Sequence, residues 1–408
     1  MKKSVLREYA RLIARTGVNV QPGQEVFIAA ELDQPEFVKM LVEECYKCKA
    51  KKVVVDWSYQ PLQKLHYRYR TLTTLSRLDN YEEARWQHYV DTIPCRIYLL
   101  SEDPDGLNGI NQEKMAKSRQ RQYPVIKKYR DQIENKYQWC IAAVPGEAWA
   151  RKLFPGLRKS QAVEKLWEAI LSASRALEGD PVANWEAHNR DMQERCAYLN
   201  GLHIRELRYK SANGTDFQVG MIPEAQFCGG SEKSLRGIVF NPNIPTEECF
   251  ISPMRGKAEG IVYATKPLSY RGVLIENFSV RFENGRAVEV HAEKNEEALK
   301  LMIAMDEGAC KLGECALVPY DSPINRSGIL FYNTLFDENA SCHLALGMGY
   351  SSCLKDFEKY TPDEARELGV NDSMIHEDFM IGSPDLRITG ITADGREVPI
   401  FINGDWAE

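Results

Sequence analysis

Gly23-Gln24-Glu25-Val26-Phe27-Ile28-Ala29-Ala30, and after it Lys52-Val53-Val54-Val55-Asp56-Trp57, decide the fold of the first half of this chain. A glycine turn leads into a short unbroken apolar run, and β-branched residues fill the second run, as in strands buried on both faces. Between them, residues from about Pro35 to Lys49 repeat their apolar positions at helical spacing. Strand, helix and strand in that order form a crossover unit, which predicts parallel pairing. Cys95-Arg96-Ile97-Tyr98-Leu99-Leu100 and Trp139-Cys140-Ile141-Ala142-Ala143-Val144 read as further strands of the same kind, each preceded by enough chain for a helix. Residues 3 to 15 carry Val5, Leu6, Tyr9, Ala10, Leu12 and Ile13 at helical spacing. The first half is therefore expected to be an α/β domain with a mostly parallel sheet. It has no G-x-G-x-x-G after the first strand and no G-x-x-x-x-G-K-[ST] loop, so nucleotide binding is not expected.

A helical pattern from about Lys159 to Leu199 is interrupted at Gly179-Asp180-Pro181, which ends one helix and starts another. Beyond it the texture changes. Short β-type runs at 202–209, 215–220, 260–264, 273–281 and 286–291 are separated by turns such as Ser211-Ala212-Asn213-Gly214 and Glu283-Asn284-Gly285, with one helical stretch from Asn295 to Gly308. A boundary near residue 185 is expected, between an α/β domain over 1–185 and a β-rich α+β domain over 186–408. At 408 residues the chain is long enough for two cores and a buried polar site.

The formal net charge of -6 and a pI near 5.8 describe an ordinary soluble protein and advertise neither nucleic-acid nor membrane binding. The N-terminus has no signal-type apolar region, and no later run nears the roughly 18 residues of a membrane span, which predicts the cytoplasm. Eleven scattered cysteines suit reduced thiols in that compartment. Cys45-Tyr46-Lys47-Cys48 is formally C-x-x-C, but it lies late in an amphipathic helical pattern with no second pair, which argues against a redox or zinc role.

Acids and histidines cluster in four segments of the second half: Thr246-Glu247-Glu248-Cys249, Gly313-Glu314-Cys315, Asp337-Glu338-Asn339-Ala340-Ser341-Cys342-His343, and His376-Glu377-Asp378. Singly, each has an ordinary reading: a solvated turn for Glu247-Glu248, a surface acid for Glu314, a core histidine for His343. Adjacent residues on a strand face opposite ways, so one of Glu247 and Glu248 points into any given site, whereas His376 and Asp378 share a face. Jointly the segments say more. Buried acids need partners, and a dication serves several at once. Should Glu248, Glu314, Glu338 and Asp378 converge, their charges balance two divalent cations, with His343 and His376 as nitrogen ligands.

At these residues the chain also resembles a known family. Asn243-x-Pro245-Thr246-Glu247-Glu248, Leu335-Phe336-Asp337-Glu338-Asn339-Ala340-x-x-His343-Leu344-Ala345 and Asn371-x-Ser373-x-x-His376-x-Asp378-Phe379-Met380-Ile381-Gly382 resemble the characteristic blocks of the aminopeptidase T / aminopeptidase S metallopeptidases. Tyr9-Ala10-x-Leu12 and Thr16-Gly17-Val18-Asn19-Val20-Gln21-Pro22-Gly23-Gln24 are similar to the family's opening, so the likeness runs nearly end to end. The resemblance implies an N-terminal α/β domain and a C-terminal β-rich domain holding two divalent metals (zinc, cobalt, manganese or magnesium) on Glu248, Glu314, Glu338, His343, His376 and Asp378. It implies release of N-terminal residues from short peptides, and a homodimer whose active sites face an enclosed cavity. Tyr350 matches a family tyrosine close to the metals. In such a centre, cations lower the pKa of a shared water to about 7. Glu247 is then the candidate general base and Tyr350 a candidate donor to the oxyanion. Cys249, Cys315 and Cys342 flank three of the acids or histidines, which would make the site sensitive to oxidation or soft metals. A non-catalytic metal- or peptide-binding protein on the same scaffold, or a two-metal hydrolase of non-peptide substrates, are the alternatives.

Overall fold

The computed structural model describes residues 1–407. They divide into two compact units: Met1–Asp191 with Gly230–Thr246 and Ile329–Phe331, and a second unit made of the remaining segments. The helix Pro181–Gly201 runs through the division. Among the described residues no helix is long and apolar enough to cross a membrane.

The first unit is built on four strands, β1 (Glu25–Glu31), β2 (Lys52–Ser58), β3 (Cys95–Leu100) and β4 (Trp139–Ala143), in the order β2-β1-β3-β4. All three pairings are parallel, with Ile28 of β1 opposite Val55 and Ile97. The helices Pro35–Lys47, Asn80–Thr92 and Gln112–Ile133 lie in the connections, which are long enough to return each strand to the same sheet end. The expected α/β domain with a parallel sheet is thus what forms. The first helix, Lys3–Leu12, continues through a wider π turn, Ile13–Gly17, and buries Tyr9, whose hydroxyl donates to Ala143 O at 3.1 Å.

Two later segments return to this unit through hydrogen bonds that local pattern cannot announce. Ile141 N of β4 donates to Pro242 O at 2.7 Å and Ile244 N donates to Ile141 O at 3.0 Å. Trp149 Nε1 donates to Phe331 O at 2.6 Å. All eleven cysteines are free thiols. Burial pushes the Cys45 thiol up to about 12, so the C-x-x-C pair offers no reactive thiolate there.

The second unit holds a nine-stranded sheet that includes the strands expected near 204, 216, 260, 273 and 286, and also Arg387–Thr392 and Glu397–Ile402. Beside it is a smaller antiparallel sheet of four strands, in the order His376–Met380, His343–Gly347, Leu312–Leu317, Cys249–Ile251. These short strands are almost wholly buried, and they carry Glu314, His343, His376 and Asp378.

Candidate metal centre

Register explains why residues far apart in sequence share one face. In the small sheet Glu314 and Asp378 both stand opposite Ala345, one from each side, and Gly347 stands opposite His376. Ala316 pairs with both His343 and Phe250. Directly paired residues point the same way and alternate residues share a face. His343, Glu314, His376 and Asp378 therefore project from a single face, and Glu248, two residues before Phe250, comes in at its edge. Ala345 sits in the middle with only a methyl group, so the face has a hollow centre ringed by ionisable groups. A register shift between Leu312 and Glu314, a bulge, aims Glu314 into that ring. Gly347 has φ +107°, and a Cβ there would come within 2.1 Å of Ile375 O, so only glycine lets the two strands meet at His376.

The distances define two triads with one shared member. Ligand atoms of Glu248, Glu314 and His343 lie within 4.8 Å of one another, as do those of Glu314, His376 and Asp378. His343 Nε2 is 3.0 Å from Glu248 Oε2; His376 Nε2 is 3.0 Å from Glu314 Oε2 and 3.3 Å from Asp378 Oδ1. Of the adjacent acids, Glu248 is the one whose carboxylate joins a triad. Glu247 is held by its backbone, its N–H donating to Asn339 Oδ1 at 2.6 Å. Glu338, in the 3-10 turn Glu338–Ala340, is outside both triads and sets its buried carboxyl against Asp378. The Tyr350 hydroxyl is 3.1 Å from His376 Nε2, with its ring packed on His376 and Phe250.

Each imidazole is oriented by its other nitrogen. His376 Nδ1 is 2.7 Å from Met348 O, and His343 Nδ1 is 3.3 Å from Ser341 O. A carbonyl can only accept, so Nδ1 carries the proton and Nε2 is turned to the acids, the arrangement of a metal-binding histidine. Sequence reading assigned no role to the groups that hold this frame. Asn339 Nδ2 donates to Leu335 O at 2.9 Å and to Glu338 Oε1 at 3.3 Å, while its Oδ1 takes Glu247 N. Asp306 accepts from Ser373 Oγ and from the backbone N–H groups of Met374, Gly308 and Ala309, which pins the loop leading into the His376 strand. The available signal was a polar residue directly beside a candidate ligand in a mainly apolar block, which Asn339 after Glu338 satisfies.

Electrostatics test whether a cation fits. Burial pushes the Glu314 carboxyl up to about 7, with Glu248 and Asp378 adding to the rise against the pull of His376. Burial and then Asp378, Glu248 and Glu314 hold Glu338 well above the carboxylate range. Burial opposes charge on His343 and His376, but the surrounding carboxylates outweigh it, raising His343 to about 9 and His376 well above its usual value. Burial would also raise Asp378, yet His376 beside it keeps that carboxyl low. Without a metal, the site stays near neutral only by taking up protons. Asp378 Oδ1 is buried, and its one close neighbour is His376 Nε2 at 3.3 Å, without good hydrogen-bond geometry. Four buried carboxylates and two oriented imidazoles fit the donor set of a divalent cation. The side chain of His376 is 21% exposed, so the ring opens to solvent on its His376 side.

Comparison with known proteins agrees with this chemistry. Residues 2–406 match the family described as thermophilic metalloprotease (M29). The chain is 40% identical to aminopeptidase AmpS of Bacillus subtilis (strain 168) over 403 residues, 98% of each protein. It is 38% identical to aminopeptidase T of Thermus thermophilus over 408 residues, 99% of this chain and 98% of that one. The solved structure of wild-type AmpT from Thermus thermophilus superposes with a TM-score of 0.87 at 36% identity, covering all of both chains.

Proposed function

From the premise that this chain belongs to the M29 metallopeptidase family and is a metallo-aminopeptidase, we propose that it releases N-terminal residues from short peptides with two divalent metal ions. The observation that carries the two-metal reading is Glu314: one carboxylate common to two donor triads would help to hold two cations. Glu248 and His343 would complete one cation's ligands, His376 and Asp378 the other's, and Glu338 would join from its place beside Asp378. The borderline donor set, carboxylate oxygens with imidazole nitrogens, is compatible with zinc, cobalt, manganese or magnesium.

Bound cations would supply Lewis acidity and an acidified water at neutral pH. The chain's own groups do the rest. Glu247, fixed at its backbone by Asn339, is the proposed general base that carries a proton to the leaving amine. Burial and then the nearby carboxylates keep the Tyr350 hydroxyl protonated far above neutral pH, so it remains a donor for a developing oxyanion. Met348 O holds His376 in one tautomer and thereby keeps Nε2 on the ring of acids. The family resemblance supports a homodimer and a cytoplasmic location, and light scattering checks the first.

The test is reconstitution. After chelation, the protein is loaded with zinc, cobalt, manganese or magnesium and assayed on short peptides with free and acetylated N-termini. Two metal equivalents per chain and cleavage of the free peptides alone are expected. Equal cleavage of both peptides overturns the aminopeptidase reading, and full activity with one equivalent overturns the two-metal reading.

A further inference from the structure

A cavity of about 710 Å³ lies at the carboxyl ends of β1 and β3 in the first unit. In the order β2-β1-β3-β4 the chain goes from β1 to one side, then returns past β1 to place β3 on the other. Strand order thus reverses between β1 and β3, the point where connections diverge and open sheets leave a crevice for ligands. The volume is that of a small-molecule site. None of the candidate metal ligands lines it.

The lining holds six acids, Glu31, Asp33, Glu102, Asp103, Asp105 and Glu147, and three cations. Asp33 follows β1 and Glu102 follows β3, so acids occupy the centre; Ser101 joins them, its Oγ donating to Asp33 Oδ2 at 2.9 Å and its N–H to Glu102 Oε2 at 3.0 Å. Cations occupy the flanks: Lys64 and Arg68, one turn apart on the helix Gln60–Tyr69 that follows β2, and Arg151 on the helix that follows β4. Asp105 and Glu147 are ion-paired with Lys152 and Lys159, Glu31 accepts from Ser58 Oγ and Gln60 N–H, and Asp103 accepts from Asp105 N–H, whereas among the described residues Asp33, Glu102, Lys64, Arg68 and Arg151 have no ion-pair partner. Apolar side chains complete the wall. Leu32, Tyr59 and Leu65 are 52%, 50% and 43% exposed, and the helix Gln60–Tyr69 buries none of its residues. Exposed apolar groups beside uncompensated charges of both signs, held apart across a cavity, are complementary to a ligand with the opposite arrangement.

We propose that this cavity binds the zwitterion of an apolar amino acid or short peptide. The ammonium group is seated on Asp33 and Glu102, the carboxylate reaches the cations of one flank, Lys64 with Arg68 or else Arg151, and the side chain lies against Leu32, Tyr59 and Leu65. Free amino acids and short peptides share this chemistry, and both surround an aminopeptidase at work. The site needs no catalytic step and stands apart from the two-metal reading.

Hydrogen exchange of the full, metal-loaded protein tests it. The probes are leucine; N-acetylleucine, which lacks the ammonium; leucinol, which lacks the carboxylate; and the reduced-amide isostere of leucyl-leucine, which cannot be hydrolysed. Leucine or the isostere is expected to protect residues 31–33, 59–68 and 101–106, and whichever does so at lower concentration identifies the source. Arg68→Ala with Arg151→Ala, both at exposed positions, should raise the half-protecting concentration at least tenfold, as should Asp33→Asn. No protection of these segments by either zwitterion, equal protection by N-acetylleucine and leucinol, or an unchanged midpoint in both variants overturns the proposal. Peptide hydrolysis by the same variants reads the metal centre separately, so failure of one reading is distinguishable from failure of the other.

Discussion

Two four-stranded sheets, one in each unit, do opposite things with their polar groups. In the parallel sheet the strand interiors are apolar, as at Ile28, Ile97 and Ala142, and acids gather beyond the strand ends. In the small antiparallel sheet the ionisable groups stand on the strands themselves, around the methyl of Ala345. A parallel sheet covered by crossover helices has no free face for a solvated site, so its chemistry is confined to its edge. A short antiparallel sheet can dedicate a face to chemistry, provided small residues leave room and the buried charges have partners.

The largest effect expected from breaking this contrast is at Glu314, common to both triads. Glu314→Gln should lower peptide hydrolysis by more than the roughly 100-fold typical of an outer-shell change, with metal content below that of the wild type by elemental analysis. Wild-type metal content in this variant would show that the shared carboxylate is not a ligand. Removing the metal comes next. For Glu314, Glu338, His343 and His376 the folded pKa is raised, so the folded chain binds more protons than the unfolded one between about pH 5 and 9. The metal-free protein should therefore lose stability as pH rises through that window, measured by urea unfolding. The metal-loaded protein should hold its stability there, since cations replace the protons. A flat profile after chelation would contradict the buried cluster of acids.

In the parallel sheet Ile28→Ala should cost about 2–5 kcal/mol of stability, read from the denaturation midpoint, while the folded protein keeps its kcat. A fall in kcat at full folding would show that the two sheets are not separable in function. The smallest expected effect is at Asn339, which touches Glu247 and Glu338 through hydrogen bonds alone. Asn339→Ala should reduce kcat/KM about 10- to 100-fold with the metals retained. A loss of metal content instead would place Asn339 in support of ligation rather than of Glu247.

Much of the architecture was legible because its signals are local. The runs at 26–30, 52–57, 95–100 and 139–144 are strands of one parallel sheet, and Gly179-Asp180-Pro181 separates two helices. The return of 230–246 and 329–331 to the first unit was not legible, since it depends on pairings such as Ile141 with Pro242 that span a hundred residues. Residue types at the site were also readable, because an acid or histidine in an apolar run needs a partner wherever it ends up.

What the sequence alone determined was the inventory: acids and histidines with strand alternation that puts His376 beside Asp378, and family blocks that name the chemistry. Which of Glu247 and Glu248 joins a triad, the sharing of Glu314, the displacement of Glu338 to Asp378 and the clamp made by Asn339 were decided only in the tertiary structure. The physical reason is register. Which side chains share a face is set by pairings between strands distant in sequence and by one bulge before Glu314, and those pairings are chosen by the packing of the whole sheet rather than by any segment in it.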